Sequence, residues 1–357
     1  MKRRSILKIA LTSALIAALS VPVIATAETA KPVIQGLPMA ERTVPVPVGV
    51  SPELAELIGS RQVETLGEVP ATTDEWLALQ SAFDAASIEG VERLLEMTGA
   101  TFTTEDIAGV TTYRVTPSEI APRWADTVFV HVHGGAFVFN GGKAAMTEAI
   151  WLANGLGVEV ISVDYRRPPL HAFPAATDDV IAVWNEVIEQ YDPNQIAMFG
   201  TSAGGNLTLS TVLQLRDMGA PLPGAIMAGT PAVDLAHASD SWKTMEGLDP
   251  LGSRDGVIEG TFEVYSDGLD LEDPRLSPVY GDLDGFPATV LLTGTRDLLL
   301  SDTVRMHRAL RTADVEADLH VYDGQSHGDY MSGLFVDAPE TQDALRELNT
   351  FFDLHLE

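Results

Sequence analysis

The stretch MFGTSAGGNL, Met198 to Leu207, sets a single serine among small residues, directly after an apolar run and directly before a helical one. A serine wanted only for its polarity needs no such cramped place. The spacing Gly200-Thr201-Ser202-Ala203-Gly204 is G-x-S-x-G, a strand–turn–helix pattern in which glycines let the chain reverse sharply and display a hydroxyl. The helix that follows turns unpaired N–H groups and a positive dipole end toward that oxygen. A glycine-rich phosphate loop or a plain tight turn can carry the same letters, so the surroundings have to decide.

Around this turn the chain is regular. Apolar, strand-like runs occur at TVFVHVHGG, VEVISVDYR, QIAMFGTS, GAIMAGTP, ATVLLTGTRD and ADLHVYDG. Helical stretches such as AAMTEAIWLANGLG, DDVIAVWNEVIEQY and SDTVRMHRALRTA separate most of them. Near-continuous apolar strands alternating with helices predict an α/β fold with a mostly parallel sheet covered on both faces. Residues 233–285 hold no clear strand and read as an excursion over the top of the sheet. Residues 51–100 are helical before any strand pattern begins, with Ser51 as a cap and Pro52 at the first turn, and read as a helical cap. Residues 28–50 are an extended, Pro- and Val-rich lead-in, which leaves 101–357 as the catalytic domain.

A serine hydroxyl attacks only when a base takes its proton, and sites in open parallel sheets gather at the carboxyl ends of the strands. His327, in YDGQSHGDY just past the last strand, is the candidate base. His320 lies inside that strand and reads as packed; His237, His307 and His355 read as solvated, and His171 as a loop residue. The orienting acid should lie between serine and histidine in the chain. Asp297, in LLTGTRDLLLSD, follows the penultimate strand, with Asp302 as the alternative. Its carboxylate would hold the imidazole in one tautomer and stabilise the imidazolium as it forms. For the oxyanion of a tetrahedral intermediate, HVHGGAFVFNGG offers Gly134 and Gly135, and the N–H of Ala203 completes the hole.

These residues carry a family resemblance. The chain from about Val128 onward resembles the hormone-sensitive-lipase-like (bacterial family IV) carboxylesterases of the α/β-hydrolase fold. HGGAFV is similar to the family's HGGG-type oxyanion motif, DYRRPPLHAFPAATDD to its YRLAPEHPFPAA segment, and GTSAGGN to its nucleophile elbow in the GTSAG variant. RDLLLSD resembles the D-P-L acid motif, its first aspartate falling on Asp297. The resemblance implies hydrolysis of short- to medium-chain esters, lactones being a variant, with no metal or organic cofactor and an N-terminal helical cap. Three departures stand out: Ala136 replaces a third glycine, the acid motif lacks its proline, and RPPL replaces LAPE so that Leu170 stands where the family carries an acid. An amidase, a peptidase or an acyltransferase on the same triad is the alternative, as is a ligand-binding protein on a catalytically dead hydrolase fold.

Composition narrows the partners. With 45% hydrophobic and 20% charged residues over 357 positions the chain is an ordinary globular one, and with no cysteine it can use neither thiol catalysis nor cysteine-bound metal. The formal net charge is −29, a surface that repels nucleic acid and anionic lipid and favours a neutral or cationic small-molecule ester. Residues 1–27 carry Lys2, Arg3, Arg4 and Lys8, an apolar middle and the ending Ala25-Thr26-Ala27. That layout reads as a secretory signal peptide cleaved after Ala27, with an uncleaved membrane anchor as the alternative, and predicts a periplasmic or secreted protein of net charge about −33 with no stable membrane anchor once cleaved. An exposed edge strand or lid surface in such folds supports a homodimer.

Overall fold

The computed structural model describes Glu41 and residues 43–356 apart from 62, 64 and 65. The expected signal peptide (1–27) and most of the expected lead-in (28–50) lie outside the described residues. From Pro45 onward the described residues form one unit, and among them no helix is long and apolar enough to cross a membrane.

Two helices come first, α1 (Pro52–Ser60) and α2 (Thr73–Thr98). Ser51 caps α1 by accepting the N–H of Leu54 at 3.1 Å. Thr72 and Glu75 close a reciprocal capping box on α2, satisfying N–H groups that a helix start leaves orphaned. A hairpin follows, β1 (Thr101–Ile107) and β2 (Val110–Thr116). The alternating core then runs β3 (Val128–Val132), α3 (Thr147–Leu156), β4 (Glu159–Val163), α4 (Ala175–Val187), β5 (Ala197–Thr201), α5 (Ala203–Asp217) and β6 (Ala225–Gly229). Within the excursion lie α6 (Asp240–Thr244) and α7 (Val257–Ser266), and no strand. The chain closes with β7 (Ala288–Gly294), α8 (Leu300–Thr312), β8 (Ala317–Tyr322), α9 (Asp329–Ser332) and α10 (Pro339–His355).

The sheet has eight strands in the order β1-β2-β4-β3-β5-β6-β7-β8. β4 through β8 are parallel, while β1–β2 and β2–β4 are antiparallel. The six apolar runs are β3 to β8. Strands β3, β5 and β6 are buried at every residue, as a sheet covered on both faces requires. One apolar cluster lies on the face of α4, α5 and α8, around Trp184, Leu207, Val212 and Met306. A second lies on the face of α3 and α10, around Phe129, Trp151, Leu348 and Phe352. Between these layers the carboxyl ends of β3, β5, β6, β7 and β8 are left to carry loops, and the candidate residues sit on those loops.

Candidate active site

The turn between β5 and α5 is built around close backbone approach. Ser202 takes φ +63° and ψ −124°, its N–H donates to the Gly229 carbonyl at 2.8 Å, and its own carbonyl accepts the Asn206 N–H at 3.0 Å. A Cβ on Gly200 would stand 2.2 Å from the Val132 carbonyl oxygen, and one on Gly204 only 2.1 Å from the same atom. Both glycines therefore exist because β3 passes directly against the turn. That is a tighter constraint than the freedom to reverse.

Tyr165 and His133 aim the loop after β3. The Tyr165 hydroxyl donates to the His133 carbonyl at 2.8 Å, and Nδ1 of His133 donates to the Gly134 carbonyl at 2.8 Å. A peptide's C=O and N–H point in opposite directions, so fixing these two carbonyls also fixes the N–H groups of Gly134 and Gly135. The His133 ring stacks on Tyr165 at 4.0 Å and 8°, and burial holds its pKa well below the ordinary value, which keeps it neutral. Among the described residues no carbonyl accepts the N–H of Gly134, Gly135 or Ala203. All three residues line a cavity of about 480 Å³ together with Ser202 and His327.

His327 follows β8. Its Nδ1 lies 3.2 Å from Oδ1 of Asp297 and 3.1 Å from the Thr230 hydroxyl. Asp297 is wholly buried and is anchored by the Thr293 hydroxyl at 3.0 Å and the Leu299 N–H at 2.8 Å. Next to this carboxylate Nδ1 carries the proton, leaving the Nε2 lone pair free. Burial pulls the His327 pKa down. The adjacent Asp297 charge and hydrogen bond, with Asp249 and Asp329 beyond, outweigh that, and the net direction is up.

Asp302 does not reach this histidine. It sits in the first turn of α8, buried, with Oδ2 3.4 Å from the Asp234 N–H, and burial pushes its carboxyl up to about 7. His237 is exposed beside Glu272. His307 and His355, expected to be solvated, are half-buried. His307 faces the Ala317 carbonyl at 3.2 Å, and His355 packs its ring on Phe351 at 4.4 Å. An imidazole presents an apolar ring face as well as polar nitrogens, so a helix can pack the face while a nitrogen keeps a polar partner. His320 is half-buried against Glu347.

The family pattern of the alpha/beta hydrolase fold matches residues 129–331. An esterase of Acinetobacter venetianus is 32% identical over 231 residues, 64% of this chain and 75% of its own length. The crystal structure of an esterase designated E25 superposes with TM-score 0.87 at 43% identity, covering 90% of this chain and 99% of that one. This chain is a hormone-sensitive-lipase-like carboxylesterase of the α/β-hydrolase fold. The ethyl acetate hydrolase of Pseudomonas putida is a further relative of this esterase, 30% identical over 226 residues, 60% of this chain and 69% of its own. An esterase structure from the bacterial hormone-sensitive lipase family matches with TM-score 0.70 at 25% identity, over 86% of this chain and 99% of that one.

Sequence reasoning missed several residues of this site. Behind the turn, the Thr201 hydroxyl donates to Glu148 at 2.6 Å and meets the Tyr330 hydroxyl at 2.6 Å, while Glu148 also faces His131 Nε2 at 3.1 Å. This buried network ties β3, α3, β5 and α9 together under Ser202. Its one visible sign in the sequence is Thr201, the x of G-x-S-x-G. Asp249 was missed as well. One ligand-capable atom each from Asp249, Asp297 and His327 lies within 4.8 Å of the others. That spacing would also suit a cation, but these carboxylates already accept N–H and O–H groups.

Proposed function

We propose that this esterase works through an acyl-enzyme on Ser202, with His327 as base and then acid, Asp297 as the orienting carboxylate, and Gly134, Gly135 and Ala203 as oxyanion donors. One observation carries the reading: unpaired backbone N–H groups and a histidine pinned to a buried carboxylate both face the cavity at the displayed serine. The Ser202 oxygen bonds to the ester carbonyl carbon as its proton passes to Nε2 of His327. The carbonyl π pair moves onto oxygen, where the N–H groups receive it. Collapse of the intermediate breaks the ester C–O bond, and the imidazolium gives its proton to the leaving alcohol. Water, deprotonated by the same ring, then releases the acid and restores the serine.

The cavity favours small, uncharged acyl groups. Phe83, Phe139, Trp242, Ile258 and Phe262 supply apolar walls at a volume near the low end of ligand pockets. The acidic surface and the buried Glu148 in the wall disfavour anionic substrates. Short- to medium-chain esters, lactones included, are the expected class. The leader pattern of residues 1–27 supports export to the periplasm or beyond.

The test is a chain-length series of p-nitrophenyl esters, with matched amides and lactones alongside, on wild type and Ser202→Ala. Turnover of short acyl esters that falls by about 10³-fold or more in the variant is the expected result. Activity retained in Ser202→Ala would overturn the assignment, and preference for the amides would replace the substrate class. The pH profile supplies an independent check. Only neutral His327 can accept the proton, and its pKa is raised. Hence kcat/KM should fall as pH drops through a limb lying above the ordinary histidine value of about 6.5. A flat profile from about pH 5 to 8 would remove His327 from the mechanism.

A further inference from the structure

Asp249 lies in the excursion between α6 and α7, in the run DPLGS, with no exposed surface. A carboxylate taken out of water costs several kcal/mol unless its oxygens are satisfied. Oδ1 accepts the Leu251 N–H at 2.9 Å, a local turn that needs no further explanation. Oδ2 does something else. It accepts the Leu298 N–H at 2.9 Å and the His327 N–H at 3.2 Å. Leu298 is the residue directly after Asp297, and His327 is the base itself. A single oxygen thus holds the backbone of the acid loop and the backbone of the base loop at a set separation, although the three segments are 49 and 78 residues apart in the chain.

We infer that Asp249 is a positioning residue for the acid–base pair: its carboxylate clips the β7–α8 loop to the β8–α9 loop so that the His327 ring meets Asp297. The inference rests on the roles given above to His327 and Asp297. The clip also places a second negative charge beside the imidazole. The charged groups acting on that ring are Asp297, Asp249 and Asp329, of which Asp329 is paired with Arg61. Burial first, and then the Asp297 charge, push the Asp249 carboxyl up to about 6. Both its oxygens accept backbone N–H groups, the bonding of an ionised carboxylate, and in that state it stabilises the imidazolium formed in each half-reaction.

An asparagine has one oxygen acceptor and no charge, so Asp249→Asn weakens the clip and removes the second carboxylate while keeping the shape. On the full-length chain, kcat should fall roughly ten- to a hundredfold with KM within about twofold. The acid limb of kcat/KM should move down by about half a pH unit, because an imidazole facing less negative charge binds its proton less tightly. A folded variant with unchanged kcat and limb would overturn the inference. A lower kcat with an unmoved limb would also overturn it, by reducing Asp249 to general structural support. Should the variant not fold, amide hydrogen exchange of the wild type read by NMR decides. The His327 and Leu298 amides should both be protected at neutral pH, and free exchange of either would show that no clip exists. Exchange needs no substrate, so it stands even where the ester assay fails and the esterase mechanism with it.

Discussion

Two loops meet at Ser202, and they are held in different ways. The β5–α5 turn is fixed by backbone against backbone: Gly200 and Gly204 lie against the Val132 carbonyl. The loop after β3 shares that backbone packing at Gly134 and Gly135, but its farther part, Val138 to Gly141, is held by side chains from elsewhere. From α2, Gln80 donates to the Val138 carbonyl at 2.6 Å, Asp84 accepts the Gly141 N–H at 3.1 Å, and the Ser87 hydroxyl reaches Asn140 at 3.0 Å. Arg167 donates to the Val138 carbonyl at 2.9 Å and pairs with Asp84. Phe83 stacks on Phe139 at 4.5 Å. The serine's geometry thus belongs to the sheet, while the outer part of the loop after β3 takes its place from α2. Damage should therefore be all-or-none at the first loop and graded along the outer part of the second.

Gly204→Ala is the severest test. Its methyl would lie 2.1 Å from a main-chain oxygen that cannot swing aside, so a loss of about 3 kcal/mol or more, or failure to fold, is expected in urea denaturation. Near-wild-type stability would break the contrast. Arg167→Ala removes one support of several. The expected result is kcat lower by about tenfold through a loosened oxyanion loop, with a stability loss of roughly 1 kcal/mol for a partly buried ion pair. Steady-state kinetics and a melting curve check both, and unchanged kcat would detach the cap from the oxyanion loop.

The smallest effect belongs to Ala136→Gly. Ala136 sits at φ +49°, where glycine is more comfortable, but glycine also gains freedom in the unfolded chain. The two terms oppose each other, so stability should change by less than about 1 kcal/mol and activity by less than about twofold. A larger change would mean that the Ala136 methyl itself shapes the hole.

The same division explains what could be read from the sequence. The strands β3 to β8 and the triad candidates were legible because continuous apolar runs, glycine spacing and strand ends are local signals. The β1 strand TFTTEDI was not, because its burial pattern at the sheet edge leaves residues of both faces exposed and no apolar alternation results. The arginine at position 167 was visible only as a departure from a motif. Its partners lie 83 and 29 residues away, and no local pattern announces such a pairing. Asp249 was illegible for the same reason, its Oδ2 being spent on loops far along the chain. The segment 51–100 also divides in space. α1 packs Leu54 and Ile58 around Ala338, whereas α2 faces the cavity through Phe83 and Ser87.

The backbone of Ser202 carries one further consequence, for how the protein can change over evolutionary time. A non-glycine residue at φ +63° holds about 1–3 kcal/mol of local strain, a sizeable share of the 5–15 kcal/mol that keeps a typical domain folded. A lineage that lost the need for this hydroxyl would find the glycine variant a relief, and drift there would be downhill in energy. As the proposed nucleophile, Ser202 is held against that local preference, at a cost to stability that the glycine variant would not carry.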